Sequence, residues 1–165
     1  MLVLTLPIWV NMMVVDKLQI RSLEPNDVAA FATFLADAEA SGAAHFFHPH
    51  DFSATEAQRI CTYTGQDAYY ALWIGQRIAV YGMLRGWDSG YDMPSLGVIV
   101  SSQDRRQGLG QLFMSFLHCA AKLHGAQRIR LKVYPENEPA LHLYQQLGYQ
   151  FTASEAGQLV GYIEL

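Results

Sequence analysis

From Leu18 to Leu23 the chain alternates apolar and polar residues, Leu-Gln-Ile-Arg-Ser-Leu. A two-residue period predicts a strand with one buried face. Pro25-Asn26-Asp27 interrupts it. From Val28 to Ala40 apolar residues fall at 28, 31, 32 and 35, which is helical spacing, and Ser41-Gly42 ends that helix. The segment His45-Phe46-Phe47-His48-Pro49-His50-Asp51-Phe52 cannot be regular around its proline. Ser53-x-x-Glu56 fits a capping box and predicts a short helix to about Tyr63. Residues 68–74 and 78–87 read as strands, joined at hairpin length by Gly75-Gln76. Residues 95–101 form a near-continuous apolar run, the pattern of a central strand buried on both faces.

A second half follows the same logic. Apolar residues at 109, 112, 113, 116, 117 and 120 predict a strongly amphipathic helix. Arg128 to Val133 alternates strictly, a strand with one wet face. Asn137-Glu138-Pro139 offers a cap and a first-turn proline for a helix running to Gly148. Residues 149–153 and 158–164 close the chain as two strands. The order is β-α-α-β-β-β-α-β-α-β-β, an α+β domain. Its sheet must be mixed, because a hairpin is antiparallel and strand–helix–strand units favour parallel neighbours.

The totals narrow the function. The chain has 165 residues, 51% hydrophobic and 16% charged, enough for one domain with a core. A formal net charge of -4 argues against a nucleic-acid partner, which needs a broad basic surface. Cys61 and Cys119 show no metal-ligand spacing and are read as free thiols of a cytoplasmic protein. Met1 to Val15 is almost wholly apolar, yet too short to span a bilayer as a helix and without the flanks of a secretory signal. Residues 1–13 are therefore read as an extension, either a start-site artefact or an extra strand, and 14–165 as the single domain.

Chemistry concentrates at Arg105-Arg106-Gln107-Gly108-Leu109-Gly110, between a buried strand and a long helix. The first turn of a helix carries free N–H donors and the positive end of its dipole, which together attract anions. Glycines let the backbone approach such an anion, and arginines add charge-assisted bonds. A glycine turn without a ligand explains the same residues equally well. A Walker loop is excluded, since no Lys-Ser or Lys-Thr follows, and a dinucleotide fingerprint fails because Phe113 stands at its third glycine.

In that context the segment resembles the Arg/Gln-x-x-Gly-x-Gly/Ala signature of the GNAT family of N-acetyltransferases. A second family element, an Asn followed by a Tyr and then Gly-aromatic, is matched by Asn137, Tyr144, Gly148 and Tyr149. The element order over residues 18–165 also agrees. The resemblance implies a mixed, mostly antiparallel sheet splayed at a cofactor cleft, with Pro94 and Gly97 candidates for a bulge that begins the splay. It implies acetyl-CoA as cosubstrate. The pyrophosphate would lie on Gln107, Gly108, Leu109, Gly110 and Gln111, with Arg105 and Arg106 reaching phosphates. The pantetheine arm would lie along Gly97, Val98, Ile99 and Val100, with Asn137 either binding it or capping its helix.

The implied reaction is direct acetyl transfer to a primary amine. Tyr144 is the implied general acid for the leaving thiolate, with packing as its other reading. No motif selects the base; Asp88 and Asp92 precede the central strand, and His48 and His50 are further candidates. Phe47, His48, His50 and Trp87 are taken to line the acceptor region, whose aromatic character suits a small molecule such as an amino sugar. Pro49 spoils helical pairing of the histidines, so no metal is expected. The alternatives are a CoA-binding sensor without catalysis, a protein N-terminal or lysine acetyltransferase, and a nucleotide-binding protein. No membrane partner is expected. A homodimer through an edge formed by 158–164 is a further expectation.

Overall fold

A computed structural model describes residues 18–165; the extension expected at 1–13 lies outside them. Eleven strands and helices follow in the predicted order: β1 (Leu18–Ser22), α1 (Val28–Ala40), α2 (Ala54–Cys61), β2 (Ala68–Ile74), β3 (Arg77–Arg85), β4 (Ser95–Val100), α3 (Leu109–Leu123), β5 (Arg128–Val133), α4 (Glu138–Gln146), β6 (Gln150–Glu155) and β7 (Gln158–Glu164). They build one seven-stranded sheet in the order β1-β2-β3-β4-β5-β7-β6. All pairs are antiparallel except β4 with β5. The fold is thus α+β with a mixed, mostly antiparallel sheet.

Alternation along β3 splits the core in two. Tyr81 and Met83 face α1 and α2, where they meet Phe31, Phe34, Leu35 and Ile60. Val80 and Leu84 face α3 and α4, against Phe113, Met114, Leu117 and Tyr144. Each fully buried large side chain stabilises the fold by about 1.5–3 kcal/mol relative to exposure. The buried stripe of α3 is rotated from the expected one. Phe113, Met114, Leu117 and Ala121 are buried, while Leu112 is exposed. The helix packs beneath β3 and β4 at an angle that turns Leu112 outward, and periodicity alone does not set that angle.

Capping follows the sequence only in part. The Ser53 hydroxyl accepts from the Glu56 N–H at 3.1 Å, but the Glu56 carboxylate turns to Arg59 at 2.6 and 2.8 Å instead of closing the box. Asn137 holds the cap position of α4 and makes no side-chain capping bond.

Two topological expectations are corrected. Strand β7 is internal, paired with β5 on one side and β6 on the other. The tight turn at Ala156-Gly157 folds β6 and β7 into a hairpin, so β6 is the outer edge. Strand β4 is covered on both faces, with Leu96 in the α3 half of the core and Ile99 in the α1 half, but its other four residues are only partly buried. Its parallel pairing with β5 stops after Ser95–Arg130 and Leu96–Leu131. The register of β4 on β3 is continuous from Ser95 to Val100, so the splay occurs without a bulge at Gly97 or Pro94.

Candidate active site

The splay leaves the β5-facing backbone groups of Gly97 to Val100 without a strand partner. Gly97 has a steric reason to be glycine. A Cβ there would stand 2.7 Å from Met83 Cε and 3.2 Å from Phe47 Cε2. Its absence lets the Phe47 ring close against the strand and wall the opening.

At the far end of β4 the chain turns into α3. Arg106 (φ 61°) and Gly108 (φ 79°) both adopt the left-handed region. For a non-glycine residue that conformation costs roughly 1–2 kcal/mol, so the loop holds strain at Arg106. The curl brings the N–H groups of Leu109, Gly110 and Gln111 to the open end of the helix, ahead of the first helical bond from Leu112 N–H to Gly108 carbonyl. Gly110 keeps an ordinary distance, since its added Cβ would meet Leu143 and Val100 only at 3.6 Å.

The root of this loop is anchored. Asp104, 3% exposed, receives both guanidinium nitrogens of Arg77 at 2.5 and 2.8 Å. Arg77 is the first residue of β3, so a charged fork ties the hairpin to the start of the cradle. Periodicity gave no sign of this pair, because its members lie 27 residues apart.

A single cavity of about 940 Å³ joins these parts. Its wall includes Gly97, Val98, Ile99 and Val100 of β4, and Arg105, Arg106, Gly108, Leu109, Gly110 and Gln111 of the turn. Asn137 and Tyr144 of the α4 region and Phe47 of the aromatic loop complete it. Gln107 stands beside the cavity with its side-chain amide donating to the Gln103 carbonyl at 3.4 Å. The hydroxyl-bearing ring of Tyr144 packs against Tyr149 at 5.7 Å between centroids, and burial raises its pKa to about 12. Burial also pushes the Tyr149 phenol up, and its hydroxyl pairs with His118 Nε2 at 2.9 Å.

The remaining candidates lie elsewhere. Trp87 stacks on His124 at 4.2 Å, and Asp88 accepts the Gln66 N–H at 2.9 Å, so both hold loops together. Asp92 is exposed in the loop before β4. His50 sits behind Phe47, with Nε2 3.1 Å from the hydroxyl of fully buried Tyr81. Burial lowers the His50 pKa. Arg85 fixes this loop by donating to the Pro49 carbonyl at 3.0 Å. His48 lines a second, smaller cavity instead. Among the described residues no group of three His, Cys, Asp or Glu side chains is placed to hold a metal. No helix among them is long and apolar enough to cross a membrane.

Two basic wall residues, His45 and Lys132, belong to no motif. His45 lies at the start of the histidine-rich segment, in the turn Ala43–Phe46, and no spacing in the sequence distinguishes it from His48 and His50.

A model of the acetyltransferase (GNAT) family matches residues 28–149. The chain belongs to the GNAT family. Acetyl transfer is the reaction after which that family is named. An uncharacterised N-acetyltransferase of Bacillus subtilis, YdgE, is 44% identical over 48 residues, which span 29% of this chain and only 31% of that protein. The fold is similar to the GNAT domain of S. lividans PAT, with a TM-score of 0.78, 17% identity and 90% of each chain covered. It is also similar to the PaiA N-acetyltransferase of Thermoplasma acidophilum, solved in complex with coenzyme A. There the TM-score is 0.72 and the identity 12%, over 90% of this chain and 99% of that one.

Proposed function

We propose that this GNAT chain transfers acetyl from acetyl-CoA to the primary amine of a small-molecule acceptor, using the cavity between β4, β5 and the start of α3. The observation that carries this reading is the continuity of that cavity. One space joins an unpaired strand edge, a glycine-cradled helix N-terminus and the buried Tyr144. These residues fit the cosubstrate. Leu109, Gly110 and Gln111 offer backbone N–H groups to a pyrophosphate, Arg105 and Arg106 offer charge, and Gly97 to Val100 offer a strand edge to an extended amide arm. Asn137, free of capping, has its amide available to the same arm. Acetyl-CoA, when bound, supplies the acetyl group as a thioester.

The chain's own residues handle two protons. A lysine-like amine has a pKa near 10.4, so only about one in 2,500 is neutral at pH 7. A proton acceptor on the wall is therefore valuable. Among the described residues Asp104 is the only carboxylate lining the cavity, and it is committed to Arg77. Asp88 and Asp92 lie away from the wall, which leaves His45 as the side chain for this role. Tyr144 serves the other side of the reaction. With a pKa of about 12 its phenol stays protonated. Full transfer to a thiolate of cysteine-like pKa near 8.5 would be uphill by about 5 kcal/mol. Tyr144 therefore acts by donating a hydrogen bond from Oη to the leaving sulfur. In any homodimer built through the C-terminal half, β6 rather than β7 is the edge available for pairing.

Calorimetric titration with acetyl-CoA, with ATP as control, tests the reading. Micromolar affinity for acetyl-CoA alone is expected. A folded protein that binds neither would overturn it, and one that binds ATP equally well would favour a nucleotide site.

A further inference from the structure

Beside the cleft lies a second cavity of about 360 Å³, lined by His45, Phe46, His48, Tyr134 and Glu136. It lies between the turn after α1 and the loop after β5, two segments far apart in sequence. Its walls are mostly rings. Phe46 and Tyr134 lie 5.8 Å apart at 40°, and His48 stands nearly perpendicular to Tyr134 at 6.5 Å. His45 packs edge-on to Phe46 at 4.5 Å. His48 Nε2 lies 2.7 Å from the His45 carbonyl oxygen. That oxygen can only accept, so Nε2 carries the hydrogen and the ring is pinned in place. Among the described residues Glu136 is the one carboxylate in the lining.

Rings set at angles around a small space, with a carboxylate on the rim, attract a cation. The negative faces of the rings act on it, and the carboxylate gives the charge direction. His45 and Phe46 line this cavity and the main cleft alike. A molecule seated with one end in the ring-lined cavity therefore has its other end directed past His45 into the cleft.

Resting on the proposed acetyl transfer, we infer that this second cavity holds a separate cationic group of the acceptor. The acceptor class is then an amine that carries a second ammonium or quaternary nitrogen. The reactive amine enters the cleft beside His45, and the second positive charge stays among Phe46, His48, Tyr134 and Glu136.

Two measurements test this. The first needs no acetyl-CoA. Choline and its uncharged carbon isostere, 3,3-dimethylbutan-1-ol, are titrated separately into isotopically labelled protein. Choline is expected to move the ring resonances of Phe46 and Tyr134, and the isostere is not. In Glu136→Gln and in Tyr134→Leu the choline affinity should fall by about three- to tenfold. Equal response to both probes, or no response to choline, overturns the inference. The second compares kcat/KM for 1,5-diaminopentane and pentylamine by free-thiol release. A ratio of about five or more is expected, above the factor of two given by the diamine's two equivalent ends, and it should fall toward two in Glu136→Gln. A ratio of two or less in the unmodified protein overturns the inference while leaving acetyl transfer intact. Failure of the parent reading appears separately, as loss of acetyl-CoA binding in the calorimeter.

Discussion

Tyr144 illustrates how burial decides a role that residue type leaves open. A phenol in water is a serviceable acid near pH 10. In the apolar wall of this cleft its pKa is raised to about 12, so it holds its proton across the whole working range. In the proposed reaction, what remains is a hydrogen-bond donor on a rigid helix, and the rate effect assigned to it there is hydrogen bonding to developing charge. Tyr144→Phe removes the hydroxyl and keeps the ring that packs on Tyr149. The expected result is a fall in kcat of about 10²-fold, with acetyl-CoA affinity changed less than about threefold. Steady-state thiol release and calorimetry together read both quantities. A comparable loss in affinity would instead assign Tyr144 to binding. In the unmodified enzyme the rising limb of the pH profile should come from the amine and its acceptor group. No falling limb from Tyr144 is expected below about pH 10.

At the scale of elements, the cradle depends on a contact that spans the hairpin. The loop from Ser102 to Gly108 carries a left-handed arginine, and its root is fixed by the buried Asp104 carboxylate in the Arg77 fork. Arg77→Met leaves that carboxylate buried without its partner, at a cost of about 1–3 kcal/mol, given that Arg77 itself is partly solvated. Acetyl-CoA affinity should fall about tenfold while kcat at saturation stays within about twofold, and Arg77→Lys should recover only part of it because the bidentate geometry is lost. Unfolding curves and a KM-against-kcat comparison separate the two effects. Equal loss in kcat and affinity would show that the pair supports the whole cleft and not the loop. The element order was legible from local periodicity, and β1, α1, β2, β5 and β7 lie within a residue of their expected bounds. The glycine turn and Tyr144 were legible through the family likeness. Pairings across the sheet were not. The interior position of β7, the half-open state of β4 and the outward turn of Leu112 are set by neighbours distant in sequence. For the same reason Trp87, Asp88 and Asp92 looked like site residues: they precede β4 in sequence, but in space Trp87 and Asp88 hold loops together and Asp92 is exposed, all three outside the lining of the cleft.

The whole molecule combines two half-cores on opposite faces of one sheet, and each contains a histidine with a depressed pKa. His50 sits with the α1–α2 half, against the Tyr81 hydroxyl, with Glu56 3.9 Å away and the charges of Arg59 and Arg85 nearby. His118 sits with the α3 half, against the Tyr149 hydroxyl. In both, burial is the first cause of the lowering. A histidine whose folded pKa lies below its unfolded value near 6.5 binds fewer protons when folded. Its contribution to stability is therefore full above about pH 6.5 and declines as the pH falls toward the folded value. The ion-paired acids Asp27 and Glu56, whose pKa values Arg21 and Arg59 lower, act in a separate window below about pH 4.5. Thermal unfolding should consequently show a first loss of stability between pH 7 and 5, well before the acids titrate. The drop in Tm over that interval should shrink by roughly half in His118→Asn and again in His118→Asn combined with His50→Gln, even though both variants are less stable at pH 7. A Tm that is flat from pH 7 to 5 in the unmodified protein would contradict the assignment. Because the two histidines lie on different faces of the sheet and pair with different tyrosines, their pH effects should add. A double variant whose pH sensitivity departs from the sum would show that the sheet between the half-cores transmits the loss of one to the other.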